Sequence, residues 1–420
     1  MFHGRAAADH FPTPGRGPQP GSPASCQGRH RESCRFEWSV GDGGDPAELV
    51  SAFLSRNGLP VRDIGRTATQ IHPTGAETPC GAALYVSASA GSVMVGGPVG
   101  APSPVPGIPD VVAVVHVHIE PTESSPSVMG ACAIDPGDSA GSASGARPDG
   151  WRLGHWRDSW TPGEHAAAVS AVRAAIERGD VYQVNVVGHA SAPYTGDPGP
   201  ALDRLTTLPG ARYGGVLRGD GWAVATASPE TLVEVRGGRI ITRPIKGTRP
   251  ATDAGRRELL ASAKERAEHV MIVDLERNDL ARLGAGPVRV DELFAVRRWC
   301  GLWQAESVVS APIERPVGLA ELLRALCPGG SVTGAPKHAA LREIAALEPV
   351  GRGVSMGALG WVGTDHVDLG LSIRTAAVDG ERVHLWAGGG ITIDSDPWDE
   401  VAEAAAKAAP LRAALAGPGG

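Results

Sequence analysis

The sequence predicts an α+β fold, and three observations carry that reading. Short apolar runs bounded by Gly, Pro and Ser recur along the chain, and alanine-rich helical stretches are interspersed among them. Neither a strict strand–helix–strand alternation nor a regular short repeat is present, which argues against a doubly wound sheet or an α/β barrel.

The elements follow in order. Residues 1–35 are rich in Gly, Pro, Ser and Arg with almost no apolar periodicity, so they bury too little surface to offset ordering entropy and are read as a disordered extension. Residues 36–150 are read as an N-terminal β-rich subdomain, with strands such as Ala82–Val86 and Val111–Val115 separated by turn-rich breaks at 97–110 and 135–150. The pattern is denser over 160–413. Glu164–Arg178 is an alanine-rich helix stopped by Gly179, and Val181–Val187 is a strand. A helix from Arg256 leads into Val270–Val273, and another follows Pro336. Strands at 354–362, 367–378 and 382–393 precede a last helix over Trp398–Leu415.

A chain of 420 residues can bury a large core. Its net charge of −7 is spread rather than blocked, which argues against a nucleic-acid partner because phosphate binding needs a concentrated positive surface. No apolar run reaches membrane-spanning length, and the opening Met1-Phe2-His3-Gly4-Arg5 lacks the apolar segment of a secretory signal, so a cytoplasmic protein without a membrane partner is expected. Cys26, Cys34, Cys80, Cys132, Cys300 and Cys327 form no Cys-x-x-Cys pair and are expected as free thiols.

Several residues carry candidate chemistry. Lys246, in Pro244-Ile245-Lys246-Gly247-Thr248, reads as a buried amine; burial disfavours its charged form and makes it a usable nucleophile. In Pro328-Gly329-Gly330-Ser331-Val332-Thr333-Gly334-Ala335-Pro336-Lys337, glycines precede a helix start, where exposed backbone amides make an anion site. It is not a Walker loop, since Ala-Pro follows Gly334. Arg374 offers a fork that matches a carboxylate, and Gly388-Gly389-Gly390 lets a ligand approach the backbone. Glu400, Glu403 and Lys407 share one helix face, by default a solvated charged stripe.

The Lys246 block and the Pro328–Lys337 run resemble the signatures of the chorismate-utilising enzymes, closely over 160–413 and loosely over 36–150. The resemblance implies two large antiparallel sheets packed face to face, helices outside, and a site in the cleft between the halves. It makes 160–413 the chorismate-binding catalytic domain and has Gly330, Ser331, Thr333, Gly334 and Lys337 cradle a chorismate carboxylate. Arg374, Gly388, Gly389 and Gly390 stand where the family contacts substrate carboxylates, and Glu268 and Glu403 match the pair that holds Mg2+. Lys246 is then the nucleophile and Glu230, in Ser228-Pro229-Glu230, the acid, so the pKa of Glu230 should rise and that of Lys246 fall.

The lysine form is similar to the aminodeoxychorismate synthases, component I, where anthranilate synthases typically carry alanine. Gln183 stands where isochorismate and salicylate synthases place a lysine base, and an amide cannot take a proton at neutral pH. The implied nucleophile is therefore ammonia rather than water. None of the six cysteines lies in a Gly-x-Cys-x-Gly elbow, so ammonia is expected from a separate glutamine amidotransferase subunit in a heterodimer. The rival readings are anthranilate synthase component I and a non-catalytic chorismate-binding subunit. Two positions depart from the family pattern: Gln304 replaces a histidine near the substrate ring, and Ser355 a tyrosine.

Overall fold

The computed structural model describes residues 29–65, 78–119, 150–299 and 302–417. Among the described residues two antiparallel sheets form, one of ten strands and one of eight, with helices packed around them, so the α+β two-sheet architecture stands. Residues from both sheets meet in one core: Leu84, Val112, Leu232, Val309 and Leu369 from the larger sheet pack with Val187, Leu217 and Trp386 from the smaller. The outer face of the smaller sheet is covered by the helices Gly199–Thr206 and Pro397–Ala416, through Leu202, Leu205, Leu411 and Leu415.

The expected boundary near residue 150 does not separate sheets. Pro79–Val86 pairs with Ala358–Gly363 in the larger sheet, Val86 opposite Ala358, so the first part of the chain completes a sheet begun by the last. Structure also begins earlier than expected. Arg29–Trp38 is a strand on Val111–Ile119, because Cys34 and Phe36 pack against the core and Trp38 is buried, an alternation that charged neighbours obscure. Residues 1–28, the break at 135–149, and Cys26, Cys132 and Cys300 lie outside the described residues; Cys34 and Cys327 are free thiols, and the Cys80 thiol donates to the His116 carbonyl at 3.1 Å.

The helix Pro162–Glu177 starts on a capping box in which the Thr161 side chain accepts from the Glu164 N–H and Glu164 bonds back to Thr161. The stretch from Arg256 lies in two successive helices, Asp253–Ala261 and Ala263–Arg282, so Val270–Val273 is helical. The span 367–378, read as one strand, is two. Val367–Leu371 belongs to the larger sheet and Thr375–Val378 to the smaller, with Arg374 at φ +48° where the chain crosses between them.

A second crossing lies beside it. Trp222–Ser228 is in the smaller sheet and Thr231–Arg236 in the larger, so Pro229 and Glu230 form the link. The crossings are tied by Leu371 N–H to the Glu230 carbonyl and Ala227 N–H to the Arg374 carbonyl, both 3.0 Å. Glu230 and Arg374 are thereby fixed side by side where the sheets meet.

Candidate active site

Glu230 is buried, and the Ser331 hydroxyl and the Ile245 N–H lie near enough to its carboxyl to favour the charged form. Burial pushes its pKa up, against the opposing pull of Lys246, and the net shift is upward, as the sequence led us to expect. Arg374 feels the same carboxylate: desolvation lowers the pKa of its guanidinium, and the charge of Glu230 works the other way.

Lys246 is half-buried rather than buried, on Ile245–Pro250, the terminal strand of the larger sheet's main path. Its backbone pairs with Ala305, and a bulge follows at Gly247. The smaller sheet approaches it through Gly390, where a Cβ would lie 3.4 Å from Lys246 Nζ and 2.6 Å from Gln183 Nε2. Gln183 is 3% exposed and its Nε2 has no partner, a donor aimed at this cleft. Gln304 is likewise buried with an unpartnered Oε1, and Ser355 is held on the Ser372 carbonyl.

The glycine run folds as a turn over Gly330–Val332, a two-residue strand Gly334–Ala335, and a helix from Lys337. Gly334 pairs with Val184, and any side chain there would meet the Gln183 carbonyl at 2.1 Å. Ser331 lies near Glu230, and the Thr333 hydroxyl donates to the Gly329 carbonyl at 2.8 Å. Lys337 stands apart from this set. It is buried and its ammonium is committed to Asp279 at 2.7 Å, a partner on Ala263–Arg282 that local sequence does not reveal.

The carboxylates form a second group. Glu268 is half-buried, 3.8 Å from Lys264; burial raises its pKa, as do Glu265 and Glu400, against Lys246 and Lys264. Glu403 is exposed and bonded to Lys407 at 2.6 Å; desolvation pushes its pKa up, but Lys407, Lys264 and Lys246 together hold it below the ordinary value. Lys407 also donates to the Gly388 carbonyl at 2.9 Å. Glu400 corrects the solvated-stripe reading: it is buried and accepts from Ser395 at 2.7 Å, and a Cβ on Gly389 would lie 2.9 Å from its Oε2. The sequence signal was present in the three-residue spacing to Glu403, but spacing alone does not show which side of a helix is covered.

These carboxylates fit a hard cation in kind. They supply only oxygen donors; burial is the main cause of the upward shifts of Glu268 and Glu400, and the smaller mutual repulsion of the carboxylates is what a divalent ion would relieve. Among the described residues no three acidic, His or Cys side chains converge closely enough to hold an ion alone. Magnesium bound through one or two carboxylates takes the rest of its shell from water and substrate.

The two packed antiparallel sheets with helices around them are the fold of anthranilate synthase component I. The solved structure of that protein from Streptococcus pneumoniae matches with a TM-score of 0.71 at 22% identity, over 98% of this chain and 99% of that one. Residues 124–413 match the chorismate binding enzyme family, and the chain belongs to it. It is 39% identical over 256 residues to aminodeoxychorismate synthase component 1 of Klebsiella aerogenes, covering 59% of this chain and 57% of that protein. It is 40% identical over 257 residues to anthranilate synthase component 1 of Streptomyces coelicolor, covering 59% and 50%. The chain thus spans just over half the length of the curated relatives it matches. No helix among the described residues is long and apolar enough to cross a membrane.

Proposed function

We propose that the chain converts chorismate and ammonia to 4-amino-4-deoxychorismate, with ammonia delivered by a separate glutamine amidotransferase subunit. The observation that carries this reading is the placement of Lys246 Nζ opposite Gly390 and Gln183, with Glu230 raised beside it. A lysine is available to attack, a buried carboxyl is available to give a proton, and the nearby amide cannot act as a base for water.

The Lys246 amine adds at ring carbon two while the hydroxyl at carbon four leaves as water with the proton of Glu230. Ammonia then forms the new bond at carbon four, the lysine departs, and the surplus proton of the incoming nitrogen returns to Glu230. Arg374 and the backbone of Gly330–Gly334 bind the substrate's carboxylates, and Gly388–Gly390 admits the ring against bare backbone. Glu268 and Glu403 would hold magnesium, which when bound neutralises one carboxylate of the dianionic substrate.

Identity to both component 1 proteins supports the general chemistry, and Lys246 favours amination without loss of pyruvate. The test is the product formed by the purified chain with chorismate, magnesium and ammonium. A product that keeps its enolpyruvyl group is expected; fluorescent anthranilate would select the rival activity, and unchanged chorismate the non-catalytic binding subunit.

A further inference from the structure

Glu348 and Arg352 lie where the helix Lys337–Leu347 ends, and both are buried. The guanidinium grips the carboxylate twice, Nε to Oε2 at 2.8 Å and Nη2 to Oε1 at 2.7 Å. It also donates outward, from Nη1 to the Val332 carbonyl at 2.5 Å and from Nη2 to the Asn185 carbonyl at 2.8 Å. Glu348 Oε1 in turn accepts from the Val187 N–H at 3.0 Å.

Among the described residues, Gln183–Thr195 is flanked by Arg382–Ile391 on one side and, at this end of its other side, only by Gly334–Ala335. That short strand and the Thr333 carbonyl serve the edge as far as the Asn185 N–H, bonded at 2.7 Å. The next acceptor and donor along it, Asn185 C=O and Val187 N–H, go to Arg352 and Glu348. Two side chains therefore continue a backbone ladder. Through Val332 the same pair holds the turn Gly330–Val332, which carries Ser331 near Glu230.

We propose that Glu348 and Arg352 are positioning residues that set the register of the glycine turn over Gln183 and Gly390, and so the fit of the anion cradle to a substrate carboxylate. This rests on the reading of the site as a chorismate site. A buried ion pair kept only for stability is commonly replaceable by apolar residues of similar volume. Apolar residues cannot bond the carbonyls of Val332 and Asn185, and a lysine lacks the planar fork that reaches Glu348 and both carbonyls together.

The test compares Arg352→Lys and Glu348→Gln with Leu415→Ala, a control that opens the core on the far side of the smaller sheet. Two readouts are taken: steady-state kinetics with chorismate and ammonium, and amide hydrogen exchange of the 328–337 peptide without substrate. In Arg352→Lys the KM for chorismate should rise at least about tenfold while kcat stays within about threefold. Exchange in 328–337 should quicken in both variants, and the control should move neither readout despite a lower Tm. Variants that keep wild-type KM and wild-type exchange would overturn the proposal. If Arg352→Lys fails to fold, the near-isosteric Glu348→Gln carries the same comparison. A wild-type chain that neither binds nor converts chorismate would refute the chorismate reading, while the exchange comparison would still decide whether the pair holds the turn.

Discussion

Lys246 and Glu230 form one electrostatic unit: burial raises the Glu230 carboxyl, the Lys246 ammonium pulls it down, and burial wins. Glu230 is thereby biased towards the protonated form that an acid must have at the start of a cycle. The bias has a structural origin, since Glu230 sits on the link between two sheets, where it is buried.

Turnover should therefore fall as pH rises through the raised pKa of Glu230, because the acid is lost above it. Glu230→Gln should remove that alkaline limb and slow kcat by about 10²-fold or more, the range of general acid catalysis. A pH–rate profile of both proteins checks this; an unchanged limb in the variant would assign it to another group.

Glu276 offers a separate pH test. It lies under Gly330, and burial, with Asp279, pushes its carboxyl up to about 8 from an ordinary 4.5. Between those values the folded state holds a proton that the unfolded state has released, so this carboxyl's stabilisation is full below the lower value and is lost as pH rises through the upper. Glu276→Gln should flatten that decline. Thermal melts across the window measure it, and parallel curves for the two proteins would contradict it.

Two glycines in one strand should behave differently. A Cβ at Gly388 would stand 1.9 Å from the Val186 carbonyl oxygen, whereas at Gly390 it would meet only the side-chain ends of Gln183 and Lys246. Gly388→Ala should cost about 1–3 kcal/mol of stability through overpacking. Gly390→Ala should fold normally and lose activity. Denaturant titration beside kinetics separates them, and equal stability losses would refute the distinction.

Arg374 is tested by two substitutions. Its φ of +48° is left-handed, so Arg374→Gly should be more stable than Arg374→Ala by about 1 kcal/mol. Both should raise the KM for chorismate alike, because both remove the guanidinium. A normal KM in either would take Arg374 out of the substrate site.

Much of this was legible in the sequence, and the exceptions share a cause. Helices with local start signals, such as the Thr161 capping box, and the glycine signatures declare themselves within a few residues. The crossing at Arg374 does not, because one left-handed residue leaves the alternation of Val367, Leu369, Leu371 and Ile373 looking like a single strand that runs on into Thr375–Val378. The burial of Glu400 depends on how the last helix is seated against Gly389, the commitment of Lys337 on Asp279, and the stitching by Arg352 on a strand far away in sequence. Each is fixed by packing between distant segments, which periodicity does not encode.

The proposed magnesium site at Glu268 and Glu403 is tested by substitution. Glu268→Gln and Glu403→Gln should each raise the magnesium concentration for half-maximal activity by about tenfold, a charged contact being worth about 1.5–3 kcal/mol. Tm should change little at Glu403, which is exposed. Magnesium titrations of activity that coincide with wild type for both variants would place the ion elsewhere.

The covalent role of Lys246 is the central claim, and intact-protein mass spectrometry with peptide mapping tests it most directly. Wild type incubated with chorismate and magnesium but no ammonia should gain a substrate-derived adduct on the Lys246 peptide. Lys246→Ala should show no adduct, and should turn over at least about a hundredfold more slowly, a barrier higher by about 2.7 kcal/mol. Near-normal turnover in the alanine variant, with no adduct on the wild-type lysine, would contradict the mechanism and leave Lys246 a structural residue of the sheet edge.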